Sequence, residues 1–165
     1  MVQDYLFVRE FVRFAALVLS KAPPENFDVL LGGLGALKDE LAWFQDVAKD
    51  RNLSLDAKSH ANCQQYIQFM TNCSKQPYPV AAVAFWAIER AYHEAWSKHC
   101  PMKEPYHTFG QRWGSAAFGA YVEALGLQAD EALEQGTAAQ RDEAEVAFLK
   151  ICELERGFWD MACAT

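Results

Sequence analysis

Basic charge is scarce in this chain: 15 Lys and Arg stand against 22 Asp and Glu, a formal net charge of -7. No run of Lys or Arg offers a basic face, so nucleic acid and anionic membrane, which both need one, are excluded as partners. Long apolar runs are missing too. The FAALVLS stretch could be mistaken for a targeting segment, but Asp4, Arg9, Glu10 and Arg13 interrupt the run before it. It also falls far short of the roughly 20 residues of a membrane span. Cysteine is limited to Cys63, Cys73, Cys100, Cys152 and Cys163, with no Cys-x-x-Cys, which suggests neither a zinc site nor a disulfide framework. A reducing, cytoplasmic compartment fits this usage. Strand-like alternation and internal repeats are absent, and GGLG at 32–35 lacks the Lys-Ser/Thr that a P-loop needs. Its glycines are expected to mark close helix packing instead.

What the chain has in quantity is apolar and aromatic mass. At 165 residues it reads as one domain, 1–165, and with 52% hydrophobic and 13% aromatic residues it can form a thick, ring-rich core. Phe7, Phe11, Phe14 or Ala15, and Val18 recur at helical spacing from Val2 to about Ala22, where Pro23-Pro24 ends the helix. A second helix is expected from about Glu25 to Asp50, and a third carries Asn62, Tyr66 and Phe69. Pro77 and Pro79 open a fourth, rich in alanine and rings. A fifth is expected from about Tyr106 to Leu125. A low-hydrophobicity bridge with a short helix then leads to a last long helix from near Thr137. The fold class is therefore all-α, six or seven helices in a bundle.

Four polar residues fall on apolar faces: Asp4, Tyr66, Glu89 and Glu155. Glu155 stands four residues after Ile151 and four before Trp159, on a stripe read as Phe148, Ile151, Cys152, Phe158, Trp159 and Ala162. An unpaired charge there costs several kcal/mol, on the order of the penalty for buried ions. Ordinary explanations stand beside the functional one. Asp4 suits a helix start as a dipole partner or cap, Glu89 could pair with Arg90, and Tyr66 could be a core ring whose hydroxyl reaches a carbonyl.

Metal chemistry finds little support, because the one Glu-x-x-His, Glu104 to His107, lies in a proline-broken connector. Glu89 and His93, four apart, could share a cation. Cys63, Cys73 and Cys100 have no partnered His at helical spacing, and Cys152 reads as a small core residue. Rings with carboxylates suit a flat, nitrogen-rich heterocycle: the rings stack on its faces while the carboxylates accept its N–H groups and move protons.

Gln3-Asp4-Tyr5-Leu6-Phe7, Ala84-Phe85-Trp86-Ala87-Ile88-Glu89, Arg112-Trp113-Gly114 and Glu153-Leu154-Glu155 followed by Phe158-Trp159-Asp160-Met161 resemble the TenA/thiaminase II family. The resemblance implies a haem-oxygenase-like helical bundle without haem, no cofactor and no metal. It also implies a homo-oligomer, dimer or larger, acting on a small-molecule pyrimidine. Aminomethyl-pyrimidine from degraded thiamin would be hydrolysed to hydroxymethyl-pyrimidine.

By the same resemblance Asp4 binds the pyrimidine amine and ring nitrogen, Phe7 stacks on the ring with Phe85 a further pocket ring, and Tyr66 lines the pocket. Glu155 is the acid/base. Ala84 stands where the better-known branch has its cysteine. This is similar to the glutamate-type, plant-like branch, also described as seed maturation proteins, for which aminopyrimidine hydrolysis and formylaminopyrimidine deformylation are expected. Glu89 is the expected compensating carboxylate and Glu40 its rival. Met1-Val2 precede the Gln-Asp-Tyr motif directly, so an N-terminally shortened chain is expected. The alternative is a catalytically weak or inactive pyrimidine-binding protein.

Overall fold

A computed structural model of the chain describes residues 1–164. Its helices are α1 (Val2–Leu19), α2 (Phe27–Asp50, entered through a 3-10 turn at Pro24–Asn26), α3 (Ala61–Cys73), α4 (Tyr78–Ser97), α5 (His107–Trp113), α6 (Ala116–Gln135) and α7 (Ala138–Cys163). Among the described residues there is no strand. The chain forms two compact units, Met1–Gln76 with the residues from Arg156 onward, and Pro77–Glu155. Helix α7 contributes to both.

In the first unit α1 packs against α2 and α3. The expected stripe is present: Phe11, Phe14, Ala15 and Val18 are all buried, and Phe7 is half-buried. Facing them are Leu30, Leu37 and Phe44 of α2 and Cys63, Tyr66 and Met70 of α3. Burying each large apolar side chain contributes about 1.5–3 kcal/mol. Lys21 ties the end of α1 to the end of α3, where its ammonium donates to the carbonyls of Ser74 and Gln76 and offsets the negative end of the helix dipole. Close packing is not the role of the exposed glycines of α2. A Cβ added to Gly32 or Gly35 would meet nothing within 4 Å, so both face open space and simply cost helix propensity.

In the second unit α4 packs along α6 and against α5. From Val80 to Glu89 every residue of α4 except Trp86 is buried, the mark of a helix covered nearly all round. The expected single helix from Tyr106 to Leu125 is two helices. Gly114 ends α5, and Ser115 caps α6, its hydroxyl accepting from the Phe118 N–H at 3.1 Å. The expected bridge after Leu125 is also helical, since α6 continues to Gln135 with Gln128, Ala129 and Ala132 buried.

Gly114 is required by its surroundings. A Cβ there would lie 2.7 Å from the Gly110 carbonyl, 2.8 Å from Cys100 Sγ and 3.1 Å from Ser97 Cα. Two of those neighbours are backbone and cannot swing aside. Gly114→Ala is expected to lower unfolding stability by about 1–3 kcal/mol, the usual cost of overpacking. A urea midpoint that stays at the wild-type value would contradict this.

Candidate active site

Asp4 lies in the first turn of α1, half-buried, its carboxylate 2.6 Å from the Met1 amino group. The same placement suits the helix dipole. Phe7, three residues on, is the hub of a ring cluster. It tilts against Tyr66 at 4.8 Å and Phe158 at 5.5 Å, and it stacks on Phe11 at 5.8 Å with 17° between planes. Tyr66 is 1% exposed. Three helices supply these rings, and the spacing is that of favourable aromatic pairs.

The start of α1 is held in place by Gln3, which accepts from the His60 N–H at 2.8 Å and donates to the Lys58 carbonyl at 3.2 Å. Asn62 donates to the Gly157 carbonyl at 2.6 Å, fixing α3 to the last turns of α7. Phe7 and Tyr66 are thus in ring contact in the first unit, where Asp4 stands three residues before Phe7 on α1. Glu40, on α2, is half-buried.

The second unit holds the two carboxylates of interest. Glu89 and Glu155 are each 7% exposed. Glu89 follows Phe85 by one turn on the buried face of α4, and Ala84 beside it is wholly buried. Arg90 forms ion pairs with Glu94 at 2.6 Å and with Glu123 at 3.0 Å, and both partners hold it charged.

The buried stripe of α7 runs through Ala144, Ala147, Ile151, Leu154, Glu155, Phe158 and Met161. Cys152 and Ala162, expected on this stripe, are exposed instead, because each lies about 100° round the helix from a buried neighbour. Phe148 and Trp159 are half-buried. The position of Glu155 on the stripe agrees with the periodicity.

One polar pair escaped the sequence reading. The Tyr121 hydroxyl and the Gln128 side chain stand on the buried side of α6. Their seven-residue separation was the available signal, hidden because the helix was expected to end at Leu125. Burial pushes the Tyr121 phenol far up, and the charge of Glu89 adds to the shift.

Among the described residues no three His, Cys, Asp or Glu side chains are grouped to hold a metal ion. His93 instead packs edge-on against Phe118 at 5.6 Å. A surface groove of about 270 Å³ beside Trp86, Leu133, Arg141 and Phe148 includes none of the expected site residues.

The thiols divide sharply. Cys63 and Cys73 are buried, whereas Cys100, Cys152 and Cys163 are exposed. Burial pushes the Cys73 thiol up to about 11. Cys63 is raised by burial first and by Asp4, against the lowering effect of a hydrogen bond with Ser59. Thiolate is the reactive form. Iodoacetamide at neutral pH is therefore expected to modify the three exposed cysteines and spare Cys63 and Cys73, as read by peptide mass mapping. Comparable labelling of Cys73 in the folded protein would contradict it.

The TENA/THI-4/PQQC family pattern matches residues 1–165. The chain belongs to this family. It is 37% identical over 174 residues to a Glycine max protein described as a "Probable bifunctional TENA-E protein", covering 97% of this chain and 75% of that relative. An uncharacterised Schizosaccharomyces pombe protein is 28% identical over 199 residues, with 93% and 78% covered. The crystal structure of a TenA homologue from Pyrococcus furiosus superposes with a TM-score of 0.92 at 26% identity, covering 98% of this chain and 80% of that one. A TenA family transcription regulator from Silicibacter sp. TM1040 gives 0.83 at 22% identity, with 97% and 78% covered, and shares the fold. The family has the helical haem-oxygenase-like fold, and this chain has it too. Among the described residues no helix is long and apolar enough to cross a membrane.

Proposed function

We propose that this TenA-family chain is a thiamin-salvage hydrolase that converts aminomethyl-pyrimidine to hydroxymethyl-pyrimidine, and that it belongs to the glutamate-type branch. The observation that carries the reading is the burial of Glu155, 7% exposed on a ring-bearing stripe. This is the residue the family resemblance makes the acid/base. The branch assignment is supported by Ala84 at the position of the cysteine and by the TENA-E description of the soybean relative.

In this mechanism the pyrimidine stacks on Phe7, with Tyr66 and Phe85 as further pocket residues, and Asp4 accepts hydrogen bonds from the amidine-like edge. Glu155 protonates the departing amine, and Glu89, in preference to Glu40, takes a proton from the attacking water. The water oxygen bonds to the exocyclic carbon as the C–N bond breaks, giving the alcohol and ammonia. Apolar surroundings favour the protonated form of a carboxyl, as the acid role requires. The chain acts as a single domain in the cytoplasm and as a homo-oligomer.

A second reading, a pyrimidine-binding protein with weak or no turnover, is favoured by Ala84, which removes the nucleophile of the better-known branch. Both readings require a pyrimidine site. Calorimetry with hydroxymethyl-pyrimidine is expected to show saturable binding. No heat and no competition with aminomethyl-pyrimidine would overturn both.

A further inference from the structure

The connector between α4 and α5 carries sulfur in two forms, the thiol of Cys100 and the thioether of Met102. Both turn toward the same spot on α5. A Cβ on Gly110 would lie 2.9 Å from Cys100 Sγ and 3.2 Å from Met102 Sδ, so the separation of the two sulfurs cannot exceed those distances laid end to end. A Cβ on Gly114, one turn later, would lie 2.8 Å from the same Cys100 sulfur. The thiol therefore rests against the bare Gly110–Gly114 edge while Cys100 stays open to solvent.

Both donors are held from neighbouring helices. At the end of α4 the Cys100 N–H donates to the Ser97 carbonyl at 3.3 Å. At the start of α5 His107 donates from Nδ1 to the Met102 carbonyl at 3.1 Å, and Gly110 follows His107 by three residues on the same side of the helix. The turn between them is closed by the Tyr106 N–H on the Lys103 carbonyl at 2.9 Å. Met102 is half-buried in this arrangement.

A divalent ion that wants nitrogen and oxygen finds no group of three His, Cys, Asp or Glu among the described residues. Thiolate and thioether are a different donor set. They are the soft ligands that select cuprous copper, an ion satisfied by few ligands.

We propose that Cys100 and Met102 form a binding site for a soft monovalent cation, cuprous copper. On binding, the thiol proton leaves to solvent, a copper–thiolate bond forms and the thioether donates a lone pair. The thiolate cancels the charge of the ion, and copper stays in the cuprous state throughout. His107 acts as a positioning residue through the Met102 backbone. Glycine at 110 keeps the space beside both sulfurs clear. None of the residues of the proposed hydrolase takes part, so the two readings stand or fall separately.

The test is an anaerobic titration of the reduced full chain with Cu(I) in competition with the chromogenic chelator bicinchoninate. Wild type is expected to withdraw a single equivalent of Cu(I), and Cys100→Ser to withdraw none. Met102→Leu, which keeps the apolar bulk, is expected to weaken binding by roughly 10- to 100-fold, the size of loss that follows even from disturbing a metal's outer shell. Cys152→Ser and Cys163→Ser should bind as wild type does. In the unmutated chain, bound Cu(I) should also shield Cys100 from iodoacetamide while Cys152 and Cys163 are alkylated, a readout that needs no variant to fold. Copper retained by Cys100→Ser would place the ion on another thiol. Wild-type affinity in Met102→Leu would reduce the site to an ordinary exposed thiol. Either result, or alkylation of Cys100 at the copper-free rate, overturns the proposal.

Discussion

Glu155→Gln is expected to lower kcat for aminopyrimidine hydrolysis by roughly 10²- to 10⁴-fold, the range for one positioned general acid or base. The substitution keeps the shape of a side chain that is 7% exposed and removes only the ability to exchange a proton. Packing along α7 should survive, because Ile151, Leu154 and Phe158 remain buried on the same stripe. KM is expected to change little, since the proton transfer belongs to the transition state and not to substrate binding. Ammonia-release kinetics together with a helical circular dichroism spectrum check both halves. A variant that turns over at the wild-type rate would remove Glu155 from the chemistry.

The largest effect on stability is expected at Trp113. Its ring packs against Tyr92 at 5.1 Å, Trp96 at 5.2 Å and Phe109 at 5.6 Å, and it is 3% exposed. Trp96 in turn stacks on Phe109 at 6.0 Å with 15° between planes. Truncation to Ala leaves a cavity that none of these rigid rings can fill, so a loss of about 3–5 kcal/mol is expected. Each aromatic pair contributes about 0.5–1.5 kcal/mol beyond its buried area. For a chain of this size the loss corresponds to a fall in Tm on the order of 10 °C. Trp113→Phe should recover part of it. Urea unfolding of Trp113→Ala within about 1 kcal/mol of wild type would show that the cluster is not what holds α5 to α4.

Much of this was legible in the sequence because helices bounded by proline and striped with large side chains announce themselves. The end of α1 before Pro23 and the start of α4 at Tyr78 follow from proline chemistry. Glu89 and Glu155 were visible as carboxylates at apolar positions, and both are buried. Small residues carry a weaker signal. Gly114 and Ser115 break one apolar run into α5 and α6 through capping, a backbone event that the spacing of Trp113, Phe118 and Tyr121 does not display. Ala129 and Ala132 carry the buried side of late α6, but alanine adds little to an apolar stripe, so a continuous helix looked like a bridge. Cys152 suits an apolar stripe by its hydrophobicity, yet it is exposed and Leu154, two residues on, is buried. Tyr121 and Gln128 share one side of α6 only when the helix is carried past Leu125, so an end at Leu125 hides their seven-residue spacing.

The most direct test of the account is ammonia release from aminomethyl-pyrimidine by the purified full chain, followed with product identification. Saturable release of ammonia, one for each hydroxymethyl-pyrimidine formed and lost in Glu155→Gln, is the predicted result. Binding of the pyrimidine with no ammonia released above the uncatalysed rate would contradict it.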